Sequence, residues 1–204
     1  DVELFGQAQD TATEIPAQAR DLAKPVIGYI GSVHEWIDLE LIAWLAAQRP
    51  QWSFLLVGHA ATDVSALRAL PNVHLVGTQP YTTLPAWAKS FDAAIIPYRV
   101  NRQVANANPL KLREYLATGK PIVSVRNPEI EKFSDLVRIA DDHASFLAAL
   151  DDTLANDTAE AAARRMAAVA GQTWDARVAT ILDTVAQVLA DRAAGSKPPS
   201  SPIE

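Results

Sequence analysis

A chain of 204 residues with 49% hydrophobic content is long enough to bury one substantial core and carry additional helices. Its net charge of −6 excludes the basic footprint of a nucleic-acid binder, and no apolar run reaches the length of a bilayer span. Absence of cysteine excludes disulfides and thiolate metal sites and fits a reducing compartment, so the cytoplasm is the expected location.

The opening Asp1-Val2-Glu3-Leu4-Phe5 lacks the basic and apolar regions of a signal peptide and has no initiating Met, as expected of a piece of a longer protein. Residues 1–24 are expected to form a junction or linker, with at most a short helix over 16–23. The run 25–31 (Pro-Val-Ile-Gly-Tyr-Ile-Gly) predicts a strand ending at glycine, and Leu39, Leu41, Ile42, Trp44, Leu45 and Ala46 then follow a helical period. The unit recurs. A strand over 53–58 precedes Val64, Leu67 and Leu70, and one over 73–77 precedes Leu84, Trp87 and Ala88. Further strands are expected at 92–97, 121–125 and 137–140.

Between the last of these lies the most informative stretch, residues 108–123. Asn108 suits an N-cap and Pro109 the first helical position, where its missing N–H and fixed φ cost nothing. Leu112, Tyr115 and Leu116 give the helix a buried face, and Gly119 followed by Pro121 stops it. The first turn of such a helix offers unpaired N–H groups and the positive end of the macrodipole, which favour an anion such as a diphosphate. Lys111 adds a full positive charge there. Glu114, three residues on, projects from a neighbouring position, where a carboxylate can accept hydrogen bonds from ribose hydroxyls. By itself the pair also reads as an ordinary surface Lys–Glu pair.

Continuous apolar strands alternating with amphipathic helices predict an α/β fold, a Rossmann-like parallel sheet with helices on both faces and further helices at the C-terminus. The loops beginning at Gly31, Gly58, Gly77 and Pro97 should border one crevice at the carboxyl ends of the strands. Helices are expected at 143–155, 158–170 and 174–192, so that 25–192 forms one domain, followed by a flexible tail over 193–204. The acid pairs Asp141-Asp142 and Asp151-Asp152 read as helix caps and solvated faces rather than metal ligands. His59, His74 and His143 have no metal spacing. Trp44, Trp52 and Trp87 read as packing; Trp36, just after the first loop, has the best claim among the tryptophans to a functional place.

The order Gly31-Ser32, Val76-Gly77, Ile96-Pro97-Tyr98, then Asn108-Pro109-Leu110-Lys111-x-x-Glu114-Tyr115-Leu116-Ala117-x-Gly119-Lys120-Pro121-Ile122-Val123 resembles the C-terminal donor-nucleotide domain of GT-B glycosyltransferases, especially the bacterial polysaccharide and teichuronic-acid type. The likeness extends over about residues 1–190, with Asp1 to Phe5 resembling the interdomain junction and Thr173-Trp174-Asp175 the start of the final helix. It implies that Glu114 holds the donor ribose, that Lys111 and the backbone at Pro109 and Leu110 hold the diphosphate beside Gly31 and Ser32, and that Gly77 and Leu84 meet the base. Arg99, just after the fourth strand, is the candidate second cation; its other reading is a loop Arg paired with a surface acid. Asn106 and Asn108 are the candidate donor-sugar contacts. Asn106 stands where many relatives carry Glu, and an amide can bond a hydroxyl without supplying negative charge. Where many relatives place a basic residue after the first glycine loop, this chain has His34.

The resemblance implies a retaining glycosyltransferase using a UDP- or GDP-sugar, without cofactor or essential metal, whose acceptor site and catalytic group lie in a missing N-terminal domain. This domain would then be inactive alone, with no nucleic-acid partner and at most peripheral contact with the inner membrane through the missing half. The alternative is a non-catalytic sugar-nucleotide-binding or regulatory module. A receiver-like domain fits less well, since Gly31-Ser32 lacks an acidic cluster; an epimerase fits the architecture but not the segment from Pro109 to Tyr115.

Overall fold

The structure is a computed structural model that describes residues 1–193. Six parallel strands form one sheet in the order β3-β2-β1-β4-β5-β6, with β1 at Val26–Ile30, β2 at Ser53–Val57, β3 at Val73–Gly77, β4 at Ala93–Ile96, β5 at Ile122–Val125 and β6 at Arg138–Ala140. The helices are α1 (Val2–Gly6), α2 (Ala17–Arg20), α3 (Leu39–Gln48), α4 (Ser65–Arg68), α5 (Leu84–Lys89), α6 (Arg102–Ala105), α7 (Leu110–Ala117), α8 (Pro128–Glu131), α9 (His143–Asn156), α10 (Ala159–Ala167) and α11 (Trp174–Ala193). Every residue of β1, β2, β4 and β5 is apolar or small, and all are buried. That is the pattern of strands covered on both faces. One layer holds α1, α5, α7 and α10, which contact one another; α3, α4 and α9 form the other.

The expected Rossmann-like architecture is present, and each strand expected from the sequence is found. The N-terminal segment departs from the linker expectation. Phe5 is fully buried, Val2 nearly so, and α1 packs on α5 and α7. Two apolar side chains in a single helical turn, with Asp1 accepting from the N–H groups of Glu3 and Leu4, give the segment a face worth burying. The chain divides into two compact units, Asp1–Ala170 and one that begins at Gly171, where the sequence leads one to expect a single domain over 25–192. The described part of the second is α11, where Trp174, Val178, Ile181, Leu182, Val185 and Leu189 recur at helical spacing. From residue 194 onward the expected tail lies outside the described residues.

The sheet is incomplete at its centre. β1 pairs with β2 along all five residues, but with β4 only at Ile27↔Ala93 and Gly28↔Ala94. Gly28 lies directly against the ring of Phe91, leaving no room for a Cβ. Beyond Gly28 the strands part, and the edge of β1 facing β4 is closed by a side chain: the Tyr115 hydroxyl accepts from the Ile30 N–H at 2.7 Å and donates to the Ile30 carbonyl at 3.4 Å. Tyr115 is buried, and burial pushes its phenol far above the ordinary range, so it stays a neutral donor and acceptor. Helix α7 is thereby fixed to the end of β1.

The acid pairs behave as caps and ion pairs. Asp142 closes α9 with a capping box, accepting from the Ser145 N–H at 2.7 Å while Ser145 Oγ accepts from the Asp142 N–H at 3.0 Å. Asp141 binds Arg126 at 2.6 Å, Asp151 pairs with Arg49, and Asp152 with Arg138.

Replacing Tyr115 by Phe should leave a buried N–H unpaired and lower unfolding free energy by about 1–3 kcal/mol, read from urea midpoints. The N-cap bonds hold the Asp142 carboxyl below its usual range. Stability from a lowered carboxyl is complete above the unfolded value near about pH 4 and is lost as pH falls through the folded one. Asn caps without titrating, so the advantage in Tm of wild type over Asp142→Asn should shrink steadily when melts are run from neutral pH down to strong acid.

Candidate functional site

In this strand order the chain leaves β1 toward one face, through α3, and leaves β4 toward the other, through α7. The point where the order reverses is where open α/β sheets bind ligands, at the carboxyl ends. Here the strand ends form a shelf: the Gly31 N–H bonds Val57 O at 2.9 Å and the Gly58 N–H bonds Gly77 O at 2.9 Å. Gly31 and Gly58 have φ of +142° and +150°, a region other residues rarely adopt, and a Cβ on Gly58 would overlap the Gly31 carbonyl. The loop after Gly31 then crosses to the β4 side, where Asp38 N–H bonds Pro97 O at 2.7 Å and Arg99 N–H bonds Trp36 O at 2.8 Å. The gap between β1 and β4 is thus floored by backbone.

Helix α7 opens onto this region, with one correction to the sequence reading. Pro109, in extended conformation, is the N-cap, and Leu110 the first helical residue; Asn108 does not cap the helix. The Asn108 side-chain Oδ1 instead accepts from Arg113 Nη1 at 2.6 Å, a partner available because extended Pro109 separates Asn108 from the first turn. Proline has no side-chain acceptor, so no side chain closes this helix end. Leu110 is 57% exposed at the opening.

Lys111 Nζ donates to the Tyr98 hydroxyl at 3.0 Å and lies 5.2 Å from the ring centroids of both Tyr98 and Tyr29. It also sits under the glycine shelf, 3.1 Å from where a Cβ on Gly31 would stand. Tyr29 donates to the Ser32 carbonyl at 3.0 Å, and its burial, with Tyr98 alongside, pushes its phenol well above the ordinary range. The ammonium is therefore lodged between two tyrosine rings, a favourable cation–π setting with no carboxylate to neutralise it among its described contacts. One turn along, Glu114 Oε1 accepts from the Tyr81 hydroxyl at 2.7 Å.

Of the residues singled out from the sequence, Lys111, Gly31 and Ser32 come together around Tyr29, and Glu114 stands one turn away on the same helix. Gly77 closes β3 with φ +80° and open space where a Cβ would be; Leu84, partly buried, begins α5. Arg99 follows its other reading: its guanidinium faces Glu40 at 3.7 Å, because the backbone bond to Trp36 carries it toward the start of α3. Asn106 is exposed, and its amide donates to Arg102 O at 2.7 Å. His34 stacks on Trp36 with centroids 3.7 Å apart, and its Nδ1 is buried without a hydrogen-bond partner. Among the described residues no group of three or more His, Asp or Glu could hold a metal ion.

Four residues escape the sequence reading as site components. Tyr29, Tyr81 and Tyr98 come from three separate loops or strands, and only the fold brings them to α7. Asn127, almost fully buried, donates to Val104 O at 2.5 Å and Ala107 O at 3.3 Å while its Oδ1 caps α8, clamping the loop that leads into Pro109. An Asn-Pro dipeptide after a strand is the available signal for it.

The model of the family described as "Glycosyl transferases group 1" matches residues 24–168, which include every strand and α7. The chain belongs to this family. Over 111 residues it is 39% identical to a putative teichuronic acid biosynthesis glycosyltransferase, TuaH, of Bacillus subtilis (strain 168), covering 52% of this chain and 28% of the relative. Among solved structures, α,α-trehalose 6-phosphate synthase from Burkholderia multivorans superposes with a TM-score of 0.70 at 13% identity, covering 94% of this chain and 50% of that one. Sucrose-phosphate synthase from Thermosynechococcus elongatus gives 0.68 at 18% identity, covering 93% and 51%. HepE of Anabaena, in complex with UDP and glucose, gives 0.56 at 20% identity, covering 93% and 54%. The chain therefore has the fold of one Rossmann-like half of a GT-B glycosyltransferase and spans only part of its relatives' length. No described helix is long and apolar enough to cross a membrane.

Within this group 1 glycosyltransferase domain Gly31 and Gly58, two of the four positive-φ glycines among the described residues, should differ in sensitivity. Gly31→Ala meets only the ends of the Tyr29 and Lys111 side chains, whereas Gly58→Ala drives its methyl into backbone. Urea denaturation should show both variants destabilised, with the larger loss at Gly58.

Proposed function

We propose that this domain binds the nucleotide part of a UDP- or GDP-linked sugar, so that a second domain can complete glycosyl transfer to a polysaccharide, lipid-linked or other acceptor. The observation that carries the reading is a helix start without a side-chain cap, at the switch point, with Lys111 unneutralised on it and Glu114 one turn later. The diphosphate would lie against the Pro109, Leu110 and Lys111 backbone, the Lys111 ammonium and the shelf at Gly31 and Ser32. A helix start and a cation can carry the charge that develops on a leaving diphosphate, so no metal or other cofactor is required. Ribose would meet Glu114, and the base would lie by Gly77 and Leu84, where the missing Cβ leaves space. Asn106 and Asn108 would face the donor sugar.

The teichuronic-acid relative supports a polysaccharide-type acceptor, and the Anabaena complex with UDP and glucose supports a uridine donor. Arg99, turned to Glu40, would join the diphosphate only if that pair opens. Acceptor binding and the group that completes the chemistry belong to the missing N-terminal domain in this reading. The domain alone would bind donor without turning it over, and the whole enzyme would retain anomeric configuration. A second reading, binding without transfer, is favoured by one observation: position 106, where the resemblance implies a carboxylate, holds an amide that already bonds Arg102 O.

A thermal-shift series separates these from an unrelated pocket. UDP or GDP should raise the Tm of the 204-residue chain, by the equivalent of about 2.7 kcal/mol when ligand is 100-fold above Kd. Lys111→Ala and Glu114→Ala should each abolish most of that shift. Equal shifts in all three proteins would reject the assignment. Transfer from a UDP-sugar by the full-length protein, present or absent, decides between the two readings.

A further inference from the structure

Glu114 is the acid proposed for ribose, yet half of it is already engaged. The Tyr81 hydroxyl donates to one oxygen of its carboxylate, Oε1, at 2.7 Å. Among the described residues nothing bonds Oε2, and the side chain is 15% exposed. A carboxylate free to rotate would offer either oxygen. This one does not.

Tyr81 is well placed to impose that choice. It opens the 3-10 turn Tyr81–Thr83 between β3 and α5, a turn pinned by Thr83 Oγ1 donating to Pro80 O at 2.8 Å. Its ring meets the fully buried Phe5 edge-on at 6.1 Å, so the phenol is held from below while 49% of the residue stays exposed. Partial burial and the adjacent carboxylate raise the phenol well above its ordinary range, so at neutral pH the hydroxyl keeps its proton and donates it to Glu114. A bond from a neutral donor to a charged acceptor is among the stronger ones, and it costs a flexible Glu its choice of rotamers before any ligand arrives.

We infer that Tyr81 is a positioning residue that holds Glu114 Oε1 and leaves Oε2 as the open acceptor through which this domain distinguishes ribose from deoxyribose. The inference rests on the donor-nucleotide reading above. It adds that recognition of the pentose depends on a residue of the loop that follows Gly77 at the end of β3, on the same turn that would flank the base. Preorganising the carboxylate spares the bound state part of the ordering cost that a loose side chain would incur.

The test is calorimetric titration of the 204-residue chain, wild type and Tyr81→Phe, with UDP, 2′,3′-dideoxy-UDP and inorganic pyrophosphate. Wild type should prefer UDP to its dideoxy analogue. In Tyr81→Phe, affinity for UDP should fall about fivefold to twentyfold, the preference should largely vanish, and pyrophosphate, which would rely on Lys111, should bind as before. A variant that keeps the preference, or that weakens pyrophosphate by the same factor as UDP, overturns the positioning role while leaving the donor reading intact. Wild type that binds none of the three overturns both. Tm of the two free proteins, measured alongside, reports whether the variant has lost its fold; if it has, Tyr81→His, which keeps a ring donor, should restore part of the UDP preference, and failure to do so counts against the inference.

Discussion

The pair of hydrogen bonds between Tyr115 and Ile30 is the constraint on which this architecture turns. A parallel sheet that opens at its centre exposes strand edge in the protein interior, and an unpaired buried N–H is among the more costly defects a fold can carry. Here the defect is closed by a side chain from the helix that begins beside the opening. The same contact that repairs β1 therefore determines how far α7 stands from it, and with α7 the placement of Lys111 and Glu114. Stability of the sheet and geometry of the crevice share one phenol.

The electrostatics follow from that placement. The chain as a whole is acidic, at −6, so attraction of an anion must be local. Lys111 is held by aromatic faces and a hydroxyl rather than by a carboxylate, which fixes the ammonium without cancelling its charge. Arg99 shows the opposite outcome, a cation of the same strand-end region turned to a surface acid. The difference lies in the backbone: α7 presents Lys111 to the shelf, whereas the bridge from Trp36 leads Arg99 to α3.

Periodicity makes the sheet and most helices legible, because continuous apolar runs and i, i+3, i+4 stripes report burial directly. The helix starting near Pro109 is legible for the same reason, together with its stop at Gly119, which has φ +70°. Its cap is not: Asn108 has the chemistry of an N-cap, but a competing bond from Arg113, in the helix itself, and the extended shape of Pro109 shift the boundary by one residue. The opening helix also escapes the sequence pattern, since a single turn carrying Val2 and Phe5 has no period to detect. The tyrosines are invisible as a group, for no local pattern tells that Tyr29, Tyr81 and Tyr98 converge on one helix from distant parts of the chain.

Asn127 has a consequence for how such a domain can change over evolutionary time. One buried amide holds two carbonyls of the segment ahead of Pro109, while its oxygen caps a helix behind it. That segment is hung from a fixed peg in addition to the local bond that Asn106 makes to Arg102 O. Its exposed positions are then open to drift, and changes in what they touch need not disturb the helix beyond. Inheritance of a preference for one sugar could in this way be uncoupled from inheritance of the grip on the nucleotide.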